Sequence, residues 1–181
     1  MRYSLAILMA AAIIVPSLSS GGGGEEKVNV VVSVSDFIPL VKAVGGSFVE
    51  VNSILPPGSD PHSFYITQDT VKQIENADII VLANSRLLSY ETNIKENYPE
   101  KRYLDFDDYN VTLDSFPGYG ANPHGYWLKF ENALAIAEKI RDELSELRPS
   151  EREYFNSSFA RLELEVTGAR EDIRRISDER G

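Results

Sequence analysis

The stretch Val28-Asn29-Val30-Val31-Val32-Ser33-Val34-Ser35-Asp36 decides the fold. From Val28 to Val34 it is a nearly continuous β-branched run, the pattern of a parallel strand buried on both faces. Ser35 then stands where a helix N-cap belongs, Asp36 suits the first helical turn, and Gly45-Gly46 ends the segment. A strand leading directly into a helix is the start of a βα unit. Outward from it, Val49 to Leu55 forms a second strand, closed by Pro56-Pro57-Gly58, and Thr67 to Asn76 a second helix. Asp78 to Ala83 is a third strand, Leu87 to Asn97 a third helix, and Arg102 to Phe106 a short fourth strand. The order βαβαβαβ predicts an α/β fold: a single, mostly parallel four-stranded sheet lobe, its crossovers right-handed and its faces covered by helices.

Beyond Asn122 the chain is helical. Phe130, Ala133, Leu134, Ala137, Ile140, Leu144 and Leu147 recur three and four apart, so one face packs onto the sheet. Pro149 stops that helix, and Ser150 with Glu153 has capping-box spacing for the next. There Phe155, Phe159, Leu162, Val166, Ala169, Ile173 and Ile176 form a stripe. Running from Glu151 to Ile176, this helix is roughly 39 Å long, more than one small lobe covers. The domain reading is therefore an α/β lobe at 28–149 and a long C-terminal backbone helix at 150–181.

At the amino terminus Arg2 precedes an unbroken apolar run from Leu5 to Val15, too short to span a bilayer but suited to an export signal over residues 1–20. Leu18-Ser19-Ser20 resembles the start of a lipoprotein box, with Gly21 where the lipidated cysteine belongs. Membrane tethering would then run through an uncleaved signal segment and not through a lipid. The glycines from Gly21 to Gly24 make 21–27 a flexible tether. Export places the working chain in the periplasm or on the outer face of the cytoplasmic membrane. A net charge of −10 argues against nucleic acid, which needs a basic face. With no cysteine, thiol catalysis, thiolate metal sites and disulfides are excluded.

The two histidines of the chain share a setting. Asp60-Pro61-His62 lies after the second strand and Asn122-Pro123-His124 after the fourth. Loops leaving the carboxyl ends of parallel strands emerge on one edge, where ligands bind. Residues 62 apart in sequence are thereby expected on one rim. Neutral imidazole is the commonest protein metal ligand, so His62 and His124 are the candidate metal ligands. Asp60 and Asp69 flank the first and read as loop-fixing or capping residues. The acidic, aromatic stretch from Asp105 to Asn122 reads as a solvated loop.

With these elements in place, the sequence resembles the solute-binding proteins of ABC importers for zinc and manganese. GSDPHSFYITQD (58–69) is similar to the family's first ligand loop and NPHGYWL (122–128) to its second, followed by the helix ENALAIAEKI (131–140). QIENADIIVLAN (73–84) looks like the family's third βα step. The chain departs from the pattern at Ile66-Thr67-Gln68, where the family is proline-rich, and at Asn122, where aspartate is common. Gly125-Tyr126 also places one extra residue before Trp127. The resemblance implies that His62 and His124 ligate zinc, or alternatively manganese, as cargo. It implies two α/β lobes joined by a long helix, with the remaining ligands on the second. Partners implied are an ABC permease and its ATPase, and a separately encoded C-terminal lobe if the chain is truncated to its first. No enzyme is expected: there is no HExxH spacing, nucleophile elbow or phosphate loop. The alternative is a non-transporting surface interaction or adhesion module with a vestigial metal site.

Overall fold

The computed structural model describes residues 26–118 and 120–180. The expected export signal and most of the expected glycine tether lie outside these residues. Four parallel strands form the main sheet: β1 (Val28–Val32), β2 (Val49–Ser53), β3 (Ile79–Val81) and β4 (Tyr103–Leu104), in the order β2-β1-β3-β4. β1 pairs in register on both sides, with Val30 opposite Val51 and Ile79. Valine and isoleucine dominate these strands because both faces are covered, and Val30, Val32, Ile79, Ile80 and Val81 are all buried. The strands are shorter than the apolar runs that encode them. The inter-strand bonding nevertheless continues through Ile54 and Leu55, which donate to Val32 and Ser33, and through Leu82, which donates to Leu104.

The connecting helices are α1 (Ile38–Gly45), α2 (Gln68–Asn76) and α3 (Ser89–Asn97). Right-handed crossovers put α1 on one face and α2 and α3 on the other, because the chain steps from β1 to β2 one way and from β2 across β1 to β3 the other. Thr67 caps α2, its hydroxyl accepting from the Thr70 amide at 3.3 Å. Ser35 does not cap α1 as expected from the sequence. It lies inside a 3-10 turn, Ser35–Phe37, and Pro39 in the first turn of α1 starts the helix instead. Gly46 ends α1 as expected, with φ of 54°. It has a second reason to be glycine: a Cβ there would sit 1.9 Å from the Tyr154 hydroxyl.

The stretch after β4 is better anchored than a solvated loop. A 3-10 turn over Phe106–Asp108 carries a capping box made by Asp105 and Asp108, and a hairpin of β5 (Ser115–Phe116) and β6 (Gly120–Ala121) follows. Tyr109 is buried, and its hydroxyl donates to the Leu82 carbonyl at 2.7 Å. Asn132 clamps the loop to the next helix: its amide donates to Thr112 and Tyr126 carbonyls and accepts from the Thr112 amide, all within 2.9 Å.

Two long helices complete the lobe, α4 (Phe130–Leu147) and α5 (Arg152–Arg180). Ile136, Ala137, Ile140 and Leu144 of α4 meet Phe37, Val41 and Val44 in the core, as the three-four spacing predicts. Ser150 is not a helix cap; it lies inside a 3-10 turn, Pro149–Glu151, that links the two helices. α4 and α5 run antiparallel, with Arg170 paired to Glu131 in the first turn of α4 at 2.9 Å. Phe155 is fully buried, Phe159, Leu162 and Val166 are half-buried, and Ile173 and Ile176 are exposed by 57% and 43%. The helix outruns its support: about 43 Å of α5 lies against about 27 Å of α4 at 1.5 Å per residue.

Two outcomes follow from this packing. Phe155→Ala is expected to cost about 3–5 kcal/mol in denaturant unfolding, the range for truncating a buried phenylalanine. Amides from 171 to 179 are expected to exchange early while those of β1 and β3 stay protected. Protection of that end equal to the sheet's would mean that its stripe is covered.

Candidate metal site

β1 lies between β2 and β3, and the connections leaving β1 and β3 depart to opposite faces. The carboxyl ends of these two strands therefore bound the crevice where open α/β sheets bind ligands. A cleft of about 260 Å³ sits there. Val34 and Ser35 after β1 and Ala83 and Asn84 after β3 form its floor; His62, His124 and Trp127 line its rim.

The two histidines that the sequence singles out do meet. Their ring centroids are 5.7 Å apart with 53° between planes. A metal–nitrogen bond of about 2.0–2.1 Å puts a ring centroid roughly 3.2 Å from a bound zinc ion, so tetrahedral coordination places two centroids about 5.2 Å apart. The observed separation is within about half an ångström of that value, so the two rings are close enough to share one ion. Both histidines are exposed.

The repeated sequence context is a repeated structure. In the first loop the His62 amide donates to Asp60 Oδ1 at 3.0 Å, and in the second the His124 amide donates to Asn122 Oδ1 at 3.0 Å. Each is an Asx turn, in which the side chain two residues before the histidine folds the loop, and the intervening proline fixes its own φ. Asp60 also accepts from the Ser63 hydroxyl at 3.0 Å. The His62 backbone bond, then Ser63, hold the Asp60 carboxyl below its ordinary range, so it is an anion beside the first ring. The bond from the His124 amide identifies the facing Asn122 atom as oxygen. That oxygen lies 3.1 Å from His124 Nδ1. An Nδ1–H donor there leaves the Nε2 lone pair free for a metal. Asp69 sits in the first turn of α2, exposed and 3.8 Å from Lys72, and takes no part in the cleft.

Beneath the rim lie residues that the motif reading passed over. Tyr126, two positions after His124, is buried and donates to the Ala83 carbonyl at 2.6 Å. Gly125 precedes it at φ of 60°, making the turn that lets His124 face out while Tyr126 faces in. Trp127 stacks edge-on against Phe37 with centroids 5.6 Å apart, so the extra residue before it is absorbed by a 3-10 turn, Tyr126–Leu128. Glu91 is fully buried, its two oxygens accepting from the Ala83 and Asn84 amides at 3.0 and 2.8 Å. The signal for it is its spacing: with Ile94 in α3 and Leu87 and Leu88 just before the helix, it falls on one apolar face. Among the described residues no group of three or more histidines, cysteines and carboxylates is arranged to hold a metal ion.

Comparison with known proteins agrees with this architecture. Residues 30–180 match the model of the family "Zinc-uptake complex component A periplasmic", and the chain belongs to that family. It is 27% identical over 169 residues to the metal ABC transporter substrate-binding lipoprotein SloC of Streptococcus mutans, covering 86% of this chain and 55% of that one. It is 27% identical over 143 residues to the manganese ABC transporter substrate-binding lipoprotein PsaA of Streptococcus pneumoniae, covering 74% of this chain and 46% of the relative. The chain thus spans about half the length of the curated relatives it matches. Among solved structures, the periplasmic zinc-binding protein TroA of Treponema pallidum superposes with a TM-score of 0.72 at 18% identity, over 84% of this chain and 56% of that one. A zinc-bound deletion mutant of ZnuA does so at 0.73 and 21%, over 83% of this chain and 58% of that one. These two share the fold.

The Asx geometry makes a prediction that needs no metal. Imidazole ¹⁵N spectra of the neutral protein are expected to show His124 biased toward the Nδ1–H tautomer, and Asn122→Ala is expected to remove the bias. An unchanged tautomer in the variant would mean that Asn122 does not orient the ring.

Proposed function

We propose that this chain is the amino-terminal, metal-receiving lobe of an extracytoplasmic solute-binding protein serving an ABC importer, with His62 and His124 as its ligands. The observation that carries this reading is the 5.7 Å approach of two exposed imidazoles, each set by its own Asx turn, at the switch point of the sheet. The family membership and the metal-transport names of the relatives support it. In this reading 28–149 is the ligand-bearing lobe, 150–181 is the linking helix, and the protein carries out no chemistry on its cargo.

Two borderline-soft nitrogen ligands favour zinc, and oxygen ligands completing the shell would shift preference toward manganese. The ion is carried, so both ligands must also release it, which suits an open rim more than a closed structural site. Delivery is to a membrane permease driven by its ATPase, on the outer side of the cytoplasmic membrane. Among the described residues no helix is long and apolar enough to cross a membrane.

The test is a zinc titration of the full chain, followed by fluorescence of Trp127, the sole tryptophan, which lines the cleft with both histidines. With two protein ligands of the four that a closed zinc site uses, affinity is expected to be roughly micromolar or weaker, about −8 kcal/mol at most. His62→Ala and His124→Ala are each expected to weaken it by at least about tenfold, since losing even a group that only supports a ligand costs that much. Affinity is expected to fall with pH, because imidazole ligands must shed their protons to bind. Equal affinity in the wild type and both variants would overturn the assignment.

A further inference from the structure

One fully buried carboxylate lies outside the cleft lining and is not used by the ligand pair. Glu91 holds the end of β3 through two consecutive backbone amides, Ala83 and Asn84. The Ala83 amide also donates to the Ser33 hydroxyl at 2.9 Å, and the Tyr90 hydroxyl donates to the Ser33 carbonyl at 3.1 Å. Glu91 and its neighbours therefore tie the end of β1 to the end of β3, which is the floor of the crevice.

Both histidine loops rest on this unit. In the second loop, the Tyr126 hydroxyl bonds the carbonyl of Ala83. In the first, the ring of Phe64, two residues after His62, packs edge-on against Tyr90 with centroids 5.3 Å apart. The rims that carry His62 and His124 thus share one foundation.

We propose that Glu91 is a positioning residue for the histidine pair: by fixing the Ala83–Asn84 turn it sets the spacing of the two imidazoles and so the metal affinity. This rests on His62 and His124 being the metal ligands. The ionised carboxylate suits its place because both neighbours are N–H donors. A proton on either oxygen puts an O–H donor against an N–H donor, weakens one bond and frees the turn.

The groups facing Glu91 leave it as the one that changes charge near neutrality. Burial pushes Tyr90, Tyr109 and Tyr126 well upward, so all three stay neutral. Burial works to raise Asp105 too, but bonds from Lys95, Ser85 and the Ser85 and Phe106 amides hold it below its ordinary range, an anion. Burial lifts Glu91 to about 7, against bonds from Ser33 and the two amides and with a smaller push from Asp105. The two amide bonds are therefore complete only as pH rises through neutrality, and because burial raises the carboxyl, that ionisation costs the fold stability between its ordinary range and about 7.

The test compares zinc affinity of wild type and Glu91→Gln in the full chain at pH 6 and pH 8, read by Trp127 fluorescence. Glutamine keeps the shape but turns one acceptor into a donor at every pH. At pH 8 the variant is expected to bind on the order of tenfold more weakly, as when a supporting bond of a metal site is lost. At pH 6, where the wild-type carboxyl is mostly protonated, the two are expected to agree within about twofold. A ratio that stays constant with pH, or equal affinity at both, would overturn the proposal. Should Glu91→Gln not fold, Tyr126→Phe decides: it removes only the hydroxyl on the Ala83 carbonyl, a several-fold loss of affinity is expected, and wild-type affinity would overturn the proposal. A wild type that binds no zinc would instead refute the ligand assignment itself.

Discussion

All four strands of the main sheet run the same way, so every loop that leaves a strand's carboxyl end emerges on one rim. The rest of the molecule depends on that constraint. It brings His62 and His124 together across 62 residues of sequence. Because the order β2-β1-β3-β4 reverses direction at β1, the rim has a crevice between β1 and β3, and the two rings face each other across its mouth. The surrounding residues then divide the work. Asx turns at Asp60 and Asn122 set the local backbone at each ring, and the buried layer beneath sets where the loops stand relative to one another.

That buried layer is unusually polar for a core. Tyr90, Tyr109 and Tyr126 all end in hydroxyls that donate to carbonyls at the ends of β1 and β3, and Glu91 takes the amides. Where strands end at a binding crevice, a backbone group that a neighbouring strand does not pair would cost about 1–3 kcal/mol if left unsatisfied. Side chains from three separate segments, α3, the stretch around Tyr109 and the turn at Tyr126, bond to the strand ends here. The same bonds that remove this penalty make the rim stiff, which keeps two exposed imidazoles within reach of a shared ion.

Much of this was legible from the chain alone. β-Branched runs such as Val28 to Val34 announced buried parallel strands, and the shared Asx-Pro-His context announced the pair. Errors came where local and tertiary signals compete. Ser35 and Ser150 have capping residue types and spacing, but each lies inside a 3-10 turn, with a proline starting the turn or the helix that follows. The stretch from Asp105 to Asn122 is mostly exposed, as its acidity suggests, yet it is anchored. Its anchors, Tyr109 and the Asn132 clamp, act through contacts 20 or more residues away that no local pattern records. Glu91 was hidden for a related reason: a carboxylate reads as surface until the strand-end amides that need it are known.

The central claim is that His62 and His124 bind one ion together. With two histidines in the chain, imidazole ¹⁵N spectra contain two ring systems, and a zinc titration can follow both at once. The account predicts that the Nε2 resonance of His124 and a ring nitrogen of His62 shift together and stop at one zinc per chain. Rings that respond at different zinc concentrations, or a response from one ring alone, would contradict it.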